Sequence, residues 1–204
     1  MEDGGRMTRK KTLCSTCLAL CLFPILLSAN CFAADPITWG AADGGLRLGL
    51  GTEQAGTNGN LRVALDNVGF TDLSVLVAMK SGEGVCYLFQ FSAAAADGRH
   101  LPIANWGPNS CPPSAGLVLP EVIRLAPGAT REFAFARRHL LYMKGGNEIT
   151  LDSLLRQGYA LSVSVEVQQK NLDGAVMGGI PRPTTGRLWT GRLTSSFHLL
   201  KSSY

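Results

Sequence analysis

A chain of 204 residues, 46 % apolar and 17 % charged, carries enough apolar material for one sizeable core and too little charge for disorder along its length. Its formal net charge of +4 is modest, and four of the basic residues, Arg6, Arg9, Lys10 and Lys11, cluster near the N-terminus. Nucleic acid and anionic membrane surfaces are therefore not expected partners.

After that basic cluster comes an apolar run over residues 13–27, interrupted by Ser15, Thr16 and Pro24, and then Ser28-Ala29-Asn30-Cys31-Phe32-Ala33. Basic, apolar and small-residue segments in that order are the pattern of a secretory signal. The expected division is a signal over residues 1–33 and a single domain over residues 34–204. The run is shorter than the roughly 20 residues that span a bilayer, so no transmembrane span is expected after cleavage. Leu27-Ser28-Ala29-Asn30-Cys31 is similar to a lipobox, but Asn30 stands where a small residue is expected. Lipid anchoring at Cys31 is thus the competing expectation to a secreted or periplasmic protein. Cleavage removes Arg6, Arg9, Lys10, Lys11, Glu2 and Asp3, lowering the net charge from +4 to +2. It also removes Cys14, Cys17, Cys21 and Cys31, leaving Cys86 and Cys111. Two cysteines in an exported chain most simply form one disulfide.

The first strand expected in the domain is over residues 46–50, where Leu46, Leu48 and Leu50 alternate with Arg47 and Gly49. The glycine-containing stretch 51–60 reads as a loop. Residues 61–79 read as strand, turn, strand. Leu61, Val63 and Leu65 give the alternation of a half-buried strand, and Asn67, Gly69 and Asp72 form a turn. The following run, apolar on both faces, belongs nearer the centre of a sheet. Residues 85–92 form one strand with Tyr87, Phe89 and Phe91 on a shared face. Asp97-Gly98 turns the chain, and residues 101–103 are a short strand at most. A proline-rich loop over residues 105–116 contains Trp106 and Cys111.

Residues 117–125 are extended and broken at Pro120. Ala126-Pro127-Gly128-Ala129 suits a type II turn. Residues 131–136 form a strand, and residues 137–149 look irregular. Residues 151–157 are the one helical turn, capped by Thr150, with Gly158 after its end. Residues 160–168 alternate most cleanly of all, Leu161, Val163, Val165 and Val167 against Ser162, Ser164 and Glu166. A Gly/Pro loop over residues 171–187 leads to a closing strand over residues 188–200. Eight or nine strands with this spacing favour an antiparallel β-sandwich with one short helix.

Leu65-Asp66-Asn67-Val68-Gly69 and Leu125-Ala126-Pro127-Gly128-Ala129 resemble the "xNxG" and "L-x-PG" turns of bacterial immunoglobulin-like modules. The aromatic strand before Asp97-Gly98-Arg99 is similar to the middle of small proteinase-inhibitor sandwiches of that kind. The resemblance covers residues 61–136 and implies an all-β, antiparallel immunoglobulin-like β-sandwich. It carries no binding residues with it.

His100, His139 and His198 are not at metal-ligand spacing, and no G-x-S-x-G motif is present. Asp43, Asp66, Asp72, Asp97 and Asp173 read as solvated turn acids. The glycines between residues 40 and 59 lack the Lys-Ser/Thr of a phosphate loop. No catalytic, cofactor-binding or metal residue is therefore assigned. Trp39, Trp106 and Trp189 are expected to plug the ends of the sandwich, with partner contact by Trp106 as the alternative. Arg137 and Arg138, with His139 and Lys144, are candidates for a small anion-binding or partner-contact patch. The function expected is a non-enzymatic binding or structural module whose partner is a protein, a glycan or a cell-envelope component. A hydrolase with acids converging only in the fold, and a proteinase inhibitor, are the alternatives.

Overall fold

The computed structural model describes residues 36–53, 59–81, 84–107, 119–168 and 187–197, all within the unit Ala33–Tyr204. The expected signal over residues 1–33 lies outside the described residues, as do Cys111, Asp173 and His198. The first strands are β1 (Thr38–Trp39), β2 (Leu46–Thr52), β3 (Asn60–Asn67), β4 (Leu73–Ser81), β5 (Gly84–Tyr87), β6 (Phe89–Ala94) and β7 (His100–Asn105). Then come β8 (Leu119–Leu125), β9 (Thr130–Ala136), a 3-10 turn (Arg137–His139), β10 (Leu140–Lys144) and β11 (Asn147–Thr150). Helix α1 (Leu151–Arg156), β12 (Ala160–Val167), β13 (Arg187–Leu188) and β14 (Gly191–Phe197) complete them. The fold is all-β with one short helix, and its pairings are antiparallel except the two-residue contact of β13 with β4.

The described residues form three sheets. One has the order β1-β2-β3-β9, and another β11-β10-β7-β6-β12-β14. In the third, β8 runs along one edge of β4, while β13 and β5 share the other. Among the described residues β8 pairs with β4 alone, and this edge position tolerates Pro120. The apolar faces of all three sheets meet in one core. At its centre the rings of Tyr87, Phe89, Phe91, Phe133 and Phe135 pack mostly edge to face, with centroids 5.1–6.0 Å apart.

Two expected strands are in fact broken, and each break moves the chain from one sheet to another. The Leu88 N–H still bonds to the Val77 carbonyl of β4, whereas Phe89 pairs with Val165 of β12. Likewise the Trp189 N–H bonds to the Ser74 carbonyl, and Gly191 pairs with Val167. Bends of this kind let one chain serve two packed sheets.

Other expectations need correction. Residues 137–149 are not irregular: β10 and β11 form a hairpin across Gly145-Gly146, both at positive φ, as a type I′ turn requires. Strand β7 is twice as long as expected, because it is held by β6 and β10 together. Strand β3 is more than half buried: it lies between β2 and β9, and Ala64, Asp66 and Asn67 are inside with its leucines. Helix α1 matches its sequence signals, with the Thr150 hydroxyl accepting from the Ser153 N–H at 3.3 Å.

Candidate functional site

At one end of the molecule β3 turns into β4 through Val68-Gly69-Phe70-Thr71-Asp72. The turn is held from below by Asn67, whose side chain is fully buried. Its Nδ2 donates to the Thr71 carbonyl at 2.8 Å and the Leu125 carbonyl at 2.9 Å, and its Oδ1 accepts from the Gly69 N–H at 3.0 Å. The backbone N–H groups of Val68 and Gly69 both donate to the Gly45 carbonyl. The Ala126–Ala129 turn closes with its own 2.9 Å bond, and Gly128 there has φ 72°, the sign a type II turn needs at that position. Three turns are thus locked together, and from them Phe70 projects, 98 % exposed, beside the exposed Val68. An aromatic ring so exposed contributes almost nothing to the core, and covering it is worth about 1.5–3 kcal/mol.

Phe70 belongs to neither of the alternating runs that flank the turn. The available signal was an aromatic residue flanked by turn formers, outside either alternating run.

At the opposite end lies the expected patch, and the structure divides it. Trp106 is 62 % exposed, so it is not a plug. Its N–H donates to the His139 carbonyl at 2.8 Å, which places it against the 3-10 turn. Gly107 allows the close approach of the imidazole: a Cβ there would collide with His139 Nδ1. The exposed Arg138 donates through Nε to His139 Nε2 at 3.2 Å. Arg137 instead points inward. Its Nε donates to the Gly59 carbonyl at 3.2 Å and its Nη1 to Asp152 Oδ1 at 3.3 Å. Trp106 and Arg138 therefore lie beside one turn, whereas Arg137 ties β9 to α1. The Lys144 side chain lies outside the described residues.

Of the other tryptophans, Trp189 is the plug: it is fully buried, and its Nε1 donates to the Asp43 carbonyl at 2.9 Å. Trp39 is half-buried and lies under the Arg47 guanidinium, 4.5 Å from the ring centre.

Among the described residues the acids do not gather. Asp66 is not a solvated turn acid but a buried one, accepting from Arg47 at 2.7 Å and from the Thr130 hydroxyl at 3.0 Å. Asp72 pairs with Arg124. Asp97 is exposed and accepts from the Arg99 N–H at 3.0 Å and its Nε at 2.7 Å, bonds that hold its carboxyl below the usual carboxylate range. Among the described residues no three His, Cys, Asp or Glu side chains converge as a metal site would require, and no helix is long and apolar enough to cross a membrane.

Beside Trp106 an open groove of about 1150 Å³ crosses the outward face of the six-stranded sheet, bordered by Gln90, Glu166 and Arg192, and extends beyond that face to Cys86, Tyr87, Leu88 and Phe135. No protein-family model, curated protein or solved structure matches the chain.

Proposed function

We propose that this protein is an exported, non-enzymatic binding module with an immunoglobulin-like β-sandwich, which docks on a partner protein through the Phe70 turn. The signal pattern over residues 1–33 supports export, and a Cys86–Cys111 bridge would suit that compartment. The interlocked Asn67 and Leu125 turns and the single core shared by antiparallel sheets support the sandwich assignment.

The observation that carries the reading is the 98 % exposure of Phe70 on a turn fixed by the buried Asn67. A rigid aromatic anchor loses little entropy on binding and buries a large contact area. The test is capture from the native cell-envelope fraction with wild-type protein and with Phe70→Ala. Loss of the captured partner, with the melting temperature unchanged, supports the reading. Undiminished capture by the variant rejects it. The same projecting ring also suits a proteinase inhibitor, in which Phe70 would enter an aromatic-accepting specificity pocket. Titration against a protease with that preference separates the two readings.

A further inference from the structure

We infer that the groove on the outward face of β7, β6, β12 and β14 is a binding site for a neutral oligosaccharide. This site is separate from the Phe70 turn and does not depend on the role given to that turn.

The groove follows from the strand register. Successive residues of a strand point to opposite faces, so cross-strand partners share a face. One outward row runs Pro102, Ser92, Ser162 and Ser196, and the next places Gln90, Ser164 and Thr194 side by side. A third row pairs Glu166 with Arg192. Trp106 continues the alternation of β7, two residues beyond the outward Ala104, and lines the same groove. Small side chains thus make the floor along these rows, while Trp106, Gln90, Glu166 and Arg192 stand higher around it and the groove continues to Tyr87, Leu88 and Phe135. The floor is hydroxyl-rich, with Ser92 and Ser162 sharing a 2.6 Å bond.

Four features select the ligand class. The floor lies on the face of a sheet, where backbone N–H and C=O groups are committed to the strand ladders. An extended peptide, which binds by adding its backbone to a sheet edge, finds no such partners there. Recognition must therefore come from side chains, and these offer hydroxyl, amide, carboxylate and guanidinium groups suited to a polyhydroxylated ligand. Glu166 and Arg192 are opposite in sign and directly paired in register, so the rim has no net preference for an anion or a cation. Trp106 adds one apolar plane, which complements the C–H face of a sugar ring while its edge stays wet. The volume of about 1150 Å³, which includes the part reaching Cys86, Tyr87, Leu88 and Phe135, exceeds the roughly 300–1,000 Å³ of most small-molecule sites and leaves room for more than one sugar unit.

The test is affinity electrophoresis of the purified protein through gels containing a soluble β-glucan, a galactomannan or a xylan. Wild-type protein is expected to be retarded by at least one of them. Trp106→Ala removes the platform and Ser164→Tyr fills the floor, and each is expected to raise the dissociation constant at least tenfold. Phe70→Ala is expected to be retarded like wild type, which separates this site from the Phe70 turn. Melting temperatures verify that the variants fold, and Trp106 is exposed enough for its replacement to be tolerated. Absence of retardation in all three polysaccharides overturns the inference, as does retardation undiminished in both groove variants. Retention on a peptide array with no polysaccharide retarded also overturns it, in favour of a peptide site.

Discussion

Asn67 Nδ2 donates to the Leu125 carbonyl at 2.9 Å across 58 positions of sequence, joining the turn after β3 to the turn after β8. The same amide serves Thr71 and Gly69, so one buried side chain satisfies three backbone groups. Asn67→Ala takes this donor from the Thr71 and Leu125 carbonyls, while the Gly69 N–H keeps the Gly45 carbonyl. It is expected to lower stability by about 2–4 kcal/mol, since each buried polar group left unpaired costs about 1–3 kcal/mol and some will recover water. Asn67→Asp keeps the shape but aims an acceptor at two carbonyl acceptors, and is expected to recover little. Urea denaturation of the three proteins measures this. A loss below about 0.5 kcal/mol in Asn67→Ala would show that the turns hold together without it.

The legibility of this fold divides along a physical line. Strands with one wet face, such as β12, declare themselves, because Ser162, Ser164 and Glu166 alternate with buried valines. Helix α1 is equally plain, because its cap, apolar face and terminating glycine agree. Breaks at Leu88 and Trp189 were hidden, since alternation reports which face is buried and not which sheet a strand has joined. The β10–β11 hairpin is hidden for another reason: its flanking strands are short, β11 is mostly exposed, and only Gly145-Gly146 marks it. Asp66 looked like a surface acid because its partners Arg47 and Thr130 come from neighbouring strands. At the candidate sites, Trp106 and Arg138 were legible as residues, but their adjacency depends on the pairing of β7 with β10. Phe70 stands among turn formers outside either alternating run, and its 98 % exposure in the fold sets it apart from the core aromatics.

Asp97 gives a pH-dependent prediction. Its carboxyl is held below the ordinary carboxylate value first by the Arg99 N–H and then by the Arg99 guanidinium. A depressed folded-state value means that the contribution to stability is present above the unfolded value and is lost as pH falls through the folded one. Because the main cause is a backbone donor, Arg99→Ala is expected to raise the titration midpoint only part of the way. Carboxyl-detected NMR titration of wild type and variant checks this. Full return to the ordinary value would assign the effect to the guanidinium instead.

Cys86 sits half-buried in β5, opposite Met79, and Cys111 lies 25 positions later, outside the described residues. If the two are bridged in exported protein, closing a loop of that size is worth about 3 kcal/mol, less any strain. Non-reducing peptide mapping is expected to find one Cys86–Cys111 cross-link. Reduction, or replacement of both cysteines by serine, is expected to lower the urea midpoint accordingly. Two free thiols in oxidised, exported protein would end the proposal.

Trp189 and Trp106 give opposite expectations for the same substitution. The indole of Trp189 is fully enclosed, donates to the Asp43 carbonyl and packs close to Gly44 and Gly191. Trp189→Ala should cost about 3–5 kcal/mol, as expected when a large ring is removed from a packed interior. Trp189→Phe retains most of the apolar volume and loses one hydrogen bond, while the Asp43 carbonyl keeps the Leu46 N–H, and should cost about 0.5–1.5 kcal/mol. The damage should also spread, because the turn containing Asp43 and Gly44 continues to Gly45, whose carbonyl holds the N–H groups of Val68 and Gly69. Amide hydrogen exchange at those two positions is expected to accelerate in Trp189→Ala before exchange in β12 does. Trp106→Ala removes a ring that is 62 % exposed and should shift stability by no more than about 0.5 kcal/mol, as surface changes do. Equal destabilisation by the two alanine substitutions would mean that Trp106 is packed in solution, and both the exposed-surface account and the groove built on it would fail.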